Sequence, residues 1–322
     1  MRFCTSPAAP VSGARSRLEG PSTRIDHPHR AAFRDSTTGA RQKSVGSGSA
    51  VIGRREIIAE FLGTALLLAC GLSAAIFNFS SGSPLLTLVP NDYIRRFLSV
   101  LLFSASATVI IYSPLGRISG GHINPAVTLA FFRLGKLTTK AAVAYIVAQF
   151  AGAVAGTAAV RFVWGARASN VRLGATLPGH AGIWVALGIE TLATFLFMSL
   201  ILTFIIRPRI AHFTAAAGGL FGIFLAFFSF PYSGASLNPA RSFGPALLEE
   251  LWATLWIYFV GPSIGAVAAA TLFRNRIIPC GKLFHDSSYT CNFENCLYVA
   301  NVASREASRP SGRDGRPRRG AQ

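Results

Sequence analysis

The sequence predicts an all-α membrane protein with six transmembrane helices and two half-helices, arranged as an inverted repeat. Three observations predict it. Residues 57–79, 97–113, 141–160, 183–206, 213–232 and 252–273 are apolar stretches of about the length that a bilayer core requires, ~20 residues each. The triplet Asn-Pro-Ala occurs twice, at Asn124-Pro125-Ala126 and Asn238-Pro239-Ala240. A carboxylate sits inside the first apolar stretch of each half, Glu60 in AEFLGTALLL and Glu190 in IETLATFLFM. Composition agrees: 51% of residues are hydrophobic and 14% charged, where a soluble domain has about 25% charged residues. The stretches carry no polar stripe at helical period, which a surface helix of a soluble core would show.

The elements follow in order. Residues 1–50 are rich in Arg, Ser, Pro and Gly, lack an apolar period and read as a disordered basic tail. They also lack the apolar region of a secretory signal. Residues 51–276 form the membrane domain, with repeats at about 54–164 and 183–273. In each half, a span with an intramembrane Glu is followed by a second span, by a triplet in a small-residue loop, and by a third span. The loops read SGGHINPAVT and SGASLNPARS. Asn is a strong N-cap, and Pro suits the first helical position because its missing N–H would be unpaired there. Each triplet therefore starts a short helix, closed by Lys136 in one half and by Glu249-Glu250 in the other. The closing spans carry AQFAGAVAG and VGPSIGAVAAA, small residues that let helix backbones approach closely. Three spans per half is an odd number, so the two repeats have opposite orientation and their short helices enter from opposite faces. Residues 277–322 leave the membrane as a tail with a Cys/His cluster.

The net charge of +18 does not point to nucleic acid, because most Lys and Arg lie outside the spans. Its use is topological. Arg41, Lys43, Arg54, Arg55, Arg117, Arg133, Lys136, Lys140, Arg207, Arg209, Arg274, Arg276 and Lys282 flank the spans on the side of the termini. Arg95, Arg96, Arg161, Arg167 and Arg172 flank them on the other. This excess places both termini in the cytoplasm.

The two triplets in inverted halves, the paired Glu spans and Arg241 directly after the second triplet closely resemble the aquaporins, the major intrinsic protein family. The resemblance covers residues 54–276. It implies a pore within each subunit, a homotetramer in the cell membrane, and passive passage of water and small neutral solutes with no cofactor. It also implies roles. Asn124 and Asn238 donate amide N–H groups at the pore centre. Glu60 and Glu190 hydrogen-bond the triplet loops. His122, two residues before a pore Asn, reads from its position as a structural hydrogen-bonder of its loop, with a gating proton switch as the alternative because His titrates near neutrality. Arg241 lines the outer constriction. Family spacing puts the other constriction residues at Ser104, Ala226 and Ala235; a one-residue slip substitutes Phe103 or Phe227. Three small side chains beside Arg241 make a wide, polar opening, similar to that of small-filter nodulin-like intrinsic proteins and bacterial relatives. Glycerol, urea and neutral boric, silicic or arsenous acid are then the candidate solutes. Ser242, Ala246, Tyr258 and Phe259 instead resemble the water-selective branch, which is the alternative.

Other classes fit less well. An enzyme needs a convergent catalytic set within the spans, where Glu60 and Glu190 are the carboxylates and occupy equivalent repeat positions. A coupled transporter needs a titratable group at the centre, where this chain has Asn, Asn and Arg. A non-conducting junction protein needs exposed apolar loops, and residues 170–182 are short and mixed. In the tail, Cys280, His285, Cys291 and Cys296 offer four N/S ligands of the kind a tetrahedral zinc site uses. Reduced thiols beside a helix end are the simpler reading, and a disulfide is a third.

Overall fold

The computed structural model describes residues 52–298. The expectation of disorder in residues 1–50 lies outside the described residues. In chain order the main helices are α1 (Arg54–Phe79), α2 (Asp92–Tyr112), α3 (Pro125–Arg133), α4 (Thr139–Trp164), α5 (Ile183–Ile205), α6 (Thr214–Ser233), α7 (Pro239–Leu248) and α8 (Leu255–Leu272). There is no strand among the described residues. Helices α1, α2, α4, α5, α6 and α8 are long and apolar enough to cross a bilayer, α6 together with the short turn before it. Helices α3 and α7 are the two half-helices.

Five of the six spans begin and end within about four residues of the positions expected from hydropathy. Helix α2 is the exception, starting at Asp92, ahead of the apolar run at 97. Its first turn contains Arg95 and Arg96, which hide the helix from a hydropathy reading. The structure satisfies both charges locally. The Asn91 side chain accepts the Tyr93 and Ile94 N–H groups at 2.9 and 3.3 Å and so caps the helix. Arg95 reaches back to the Val89 carbonyl at 2.5 Å and pairs with Asp92. Arg96 lies over the rings of Tyr93 and Phe230. A short helix at Pro114–Ser119, also unforeseen, leads into the first triplet loop.

Small residues set the tightest helix crossings. Helix α4 presses Gly152 and Gly156 against the carbonyls of Phe61 and Ala65 on α1. Helix α8 presses Gly265 against the Thr191 carbonyl on α5, which is the same crossing in the other repeat. A side chain at Gly156 would collide with backbone, which cannot move aside. Gly156→Val is therefore expected to destabilise the protein by at least about 1–3 kcal/mol, the usual cost of overpacking. A lower unfolding midpoint in detergent is the measurement; an unchanged midpoint would contradict this crossing.

The halves interlock. Half-helix α3 packs against α8, the closing span of the second repeat, and α7 packs against α4, the closing span of the first. Large apolar side chains such as Phe162, Val109, Leu220, Phe224 and Leu272 point outward and are more than half exposed, as a lipid-facing surface requires. The chain is thus an integral multi-pass membrane protein. An even number of spans brings the start of α1 and the segment after α8 to one face, here called the terminal face. Direct contacts show it: Asn292 donates to Glu56 at 2.6 Å, and the Lys136 ammonium donates to the Asn295 carbonyl at 3.0 Å. Residues 277–298 are folded against the helices. Ile278, Cys280, Leu283, Cys291, Phe293 and Cys296 are buried and join the same apolar core as α1, α3 and α4.

Candidate functional site

Both triplets start helices as their residue types dictate. The Asn124 side-chain oxygen accepts the Ala126 N–H at 2.9 Å. That of Asn238 accepts from Ala240 at 3.0 Å and Arg241 at 3.4 Å. The residue before each Asn has a left-handed backbone, Ile123 at φ 41° and Leu237 at φ 53°. That costs on the order of 1–3 kcal/mol at each position and persists only where neighbours over-determine it.

The buried carboxylates supply that determination. Glu60 accepts the His122 N–H at 2.9 Å, the Ile123 N–H at 2.7 Å and the Ser119 hydroxyl at 2.7 Å. Glu190 accepts the Ser236 N–H at 2.9 Å, the Leu237 N–H at 2.7 Å and the Ser233 hydroxyl at 2.7 Å. The two sets match almost atom for atom, which is the inverted repeat expressed in hydrogen bonds. Tyr145 and Tyr258 extend the match, donating to the carbonyls of Ser119 and Ser233, each at 2.8 Å. Around the carboxylates the symmetry breaks at Gln149. Gln149 donates to Glu60 at 2.7 Å and to Thr128 at 2.9 Å, whereas the equivalent position on α8 is Pro262. Sequence reasoning gives Ser119, Tyr145, Gln149, Ser233 and Tyr258 no part in bracing the loops. For the tyrosines a signal existed, since they occupy matching places in the two closing spans.

The two half-helix ends meet. The Asn124 amide donates to the Leu237 carbonyl, and the Asn238 amide to the Ile123 carbonyl, both at 2.9 Å. The left-handed turn at each preceding residue is what aims its carbonyl at the other loop. One N–H of each amide is spent on this cross-link. Both asparagines border a cavity of about 320 Å³. From the face opposite the termini, Phe79 and Phe230 line it; beyond the asparagines, towards the terminal face, so do Ile111, Thr214 and Leu283.

Ser104, Ala226, Ala235 and Arg241 all line this cavity, so the four residues expected at a constriction do come to one space. Phe103 lines it too, with its ring centroid 5.6 Å from the Arg241 guanidinium carbon. Ser104 faces Gly222 on α6. Phe227 is turned away, packed against Phe97 and Phe228. Arg241 is buried, and its Nη1 meets no acceptor among the described residues.

The family model for the major intrinsic proteins matches residues 48–273. This chain belongs to the major intrinsic protein family. Among its relatives is Aquaporin NIP1-4 of Oryza sativa subsp. japonica, 36% identical over 215 residues, covering 66% of this chain and 74% of the rice protein. Another is the glycerol uptake facilitator protein-like 6 of Lactiplantibacillus plantarum, 36% identical over 224 residues, covering 68% of this chain and 97% of the relative. The fold also matches the X-ray structure of the aquaglyceroporin from Plasmodium falciparum, with a TM-score of 0.58 and 22% identity over 69% of this chain and 95% of the other.

In this major intrinsic protein the segment after α8 lies beyond the family match, yet it touches the first triplet loop. His122 Nε2 donates to the Gly281 carbonyl at 2.9 Å, which leaves Nδ1 to pair with the Thr128 hydroxyl at 3.1 Å. His122 therefore ties the first triplet loop to a partner from the tail. Cys280, His285, Cys291 and Cys296 converge, with one ligand atom from each within 4.8 Å of all the others. Hydrogen bonds to Cys291 and Cys296, and then burial, push the Cys280 thiol up. Burial lowers the His285 imidazole, but hydrogen bonds to the same two cysteines outweigh it and raise it to about 9. Burial likewise lowers the Lys136 ammonium, against the pull of the three cysteines.

Proposed function

We propose that this major intrinsic protein is a passive channel for water and small uncharged solutes of the glycerol class, and that it excludes protons and ions. The observation that carries the reading is the cavity bounded at its middle by two opposed half-helix ends, Asn124 and Asn238. Each helix N-terminus carries about +0.5 charge, so two of them aimed at one point repel a cation. With its oxygen capping and one N–H bound across the loops, each asparagine keeps one N–H for a passing oxygen. A water held by two fixed donors cannot also receive a hydrogen bond in a proton chain. Arg241 adds a full charge and an unmatched donor beside Phe103, on the same cavity wall. The relative named as a glycerol uptake facilitator supports the solute class. Terminal-face lysines and arginines support cytoplasmic termini, and the exposed apolar helix faces leave room for a homotetramer.

Swelling of proteoliposomes in water, glycerol, urea and boric acid gradients tests the reading; vesicles no faster than empty ones for every solute would sink it. The width of the filter has its own test. Ser104→Phe with Ala226→His fills two of the small positions, so glycerol flux should fall at least tenfold, a barrier of about 1.4 kcal/mol, while water flux survives. Unchanged glycerol flux would mean that these residues do not line the constriction. One observation favours a water-selective channel instead. The Phe103 ring beside Arg241 already narrows that level, and wild-type vesicles that swell with water alone would decide for it.

A further inference from the structure

We propose that Cys280, His285, Cys291 and Cys296 bind one zinc ion in a tetrahedral site. The ion, by fixing the loop that carries them, holds Leu283 at the terminal-face mouth of the cavity. The second half of this proposal rests on the channel reading above; the first does not.

The ligand geometry fits the metal. Zinc–sulfur and zinc–nitrogen bonds of about 2.3 and 2.0 Å at tetrahedral angles place neighbouring ligand atoms roughly 3.5–3.8 Å apart. Cys280 Sγ and Cys291 Sγ are 3.4 Å apart, and Cys296 Sγ and His285 Nε2 are 3.7 Å apart. Cys280 and Cys291 are not joined as a disulfide, whose sulfurs would lie about 2.05 Å apart. The Lys282 backbone N–H points at Cys280 Sγ at 3.5 Å, a donor that stabilises charge on a metal-bound thiolate. All three cysteines are buried, while the imidazole that joins them lies half-buried and stacked on Tyr298 at 4.3 Å. Thiols that were only small apolar fillers would have no reason to gather a histidine nitrogen beside them.

A metal would also serve as a staple for the segment. Residues 277–298 contain no helix longer than a single turn and no strand. Packing against the helices buries their apolar side chains, and metal binding would add a cross-link that the missing backbone ladder does not supply. A site with three thiolates and a neutral imidazole leaves one net negative charge on the zinc complex. Lys136 lies close enough to the cysteines to feel their charge.

What the staple would position is specific. Between the first two ligands, Gly281 accepts from His122, and the Lys282 ammonium donates to the Arg117 carbonyl at 2.5 Å. The Leu283 N–H donates to the Gly120 carbonyl at 3.0 Å. Leu283 itself borders the cavity. Phe293, between the third ligand and the fourth, packs on His122 and Tyr145. The four ligands thus clasp a loop latched to the backbone that leads into Asn124.

The test uses the purified full-length protein. Metal analysis should find one zinc per chain, lost in Cys291→Ser and in Cys296→Ser. Cobalt(II) exchanged into the wild type should give the intense visible bands and sulfur charge-transfer absorption of a tetrahedral thiolate site, a readout that does not depend on the variants folding. Wild-type protein that takes up neither ion after reduction overturns the site, as does a Cys280–Cys291 disulfide that excludes both. For the mouth, Leu283→Ala should keep its zinc and conduct water faster in proteoliposomes. Equal water flux in zinc-loaded wild type and Leu283→Ala overturns the mouth role and leaves the site standing. Absence of flux from both, with zinc bound, counts against the channel reading and the mouth role that rests on it.

Discussion

Glu60→Leu is expected to abolish assembly of the first triplet loop, and to do so more severely than Glu190→Leu damages the second. The Glu60 carboxylate accepts from Ser119, His122, Ile123 and Gln149. Glu190 accepts from Ser233, Ser236 and Leu237. The Ser119 and Ser233 hydroxyls can turn to the carbonyls of Leu115 and Ser229, but a leucine leaves the His122 and Ile123 N–H groups and one Gln149 N–H, or the Ser236 and Leu237 N–H groups, buried without a partner, at about 1–3 kcal/mol apiece. Three such losses are a large share of the stability of a typical domain, about 5–15 kcal/mol. The left-handed backbone at Ile123 would also lose what holds it. Thermal unfolding in detergent measures the effect: the midpoint should fall for both variants, and further for Glu60→Leu, because Gln149 has no counterpart opposite Glu190. Glu60→Leu with a wild-type midpoint would show that the carboxylate is not what organises the loop.

Arg241→Ala should have the opposite signature, with a change in permeation and little loss of stability. The arginine is buried, sits in the first turn of α7 where a cation is electrostatically unfavourable, and leaves Nη1 without an acceptor among the described residues. Removing it relieves that cost. At an effective dielectric near 20, a unit charge about 6–8 Å from a permeating cation contributes about 2–3 kcal/mol of barrier. Its loss should therefore raise cation or proton leak by up to roughly a hundredfold. A pH-sensitive dye inside proteoliposomes under a proton gradient reads the leak, and the unfolding midpoint reads the fold. A variant as proton-tight as the wild type would remove Arg241 from the exclusion barrier and leave the half-helix ends to account for it.

What was legible in the chain was local or periodic. Apolar runs mark the spans because a bilayer imposes one length on them. Asn-Pro marks the half-helix starts because capping is decided within one turn, and both caps stand as read. The pairing of Glu60 with the first loop and Glu190 with the second came from the duplication and the family resemblance. The misses have equally particular causes. The start of α2 was hidden because Arg95 and Arg96 read as solvent, although Asp92, Val89 and nearby rings satisfy them. Tyr145, Gln149 and Tyr258 look like ordinary span residues until the loops they serve are folded beside them. Phe103 and Ser104 are neighbours on α2, and spacing alone chose one of them where the cavity is lined by both.

By itself, then, the sequence determined the number of spans, the two capped half-helices and their inverted relation, since each depends on residues close together in the chain. Only the tertiary structure decided that Asn124 and Asn238 bind each other's loops, that Phe103 stands beside Arg241, and that the tail folds its cysteines and histidine under His122. Those contacts join residues far apart in the chain, and no local propensity encodes which distant backbone will arrive.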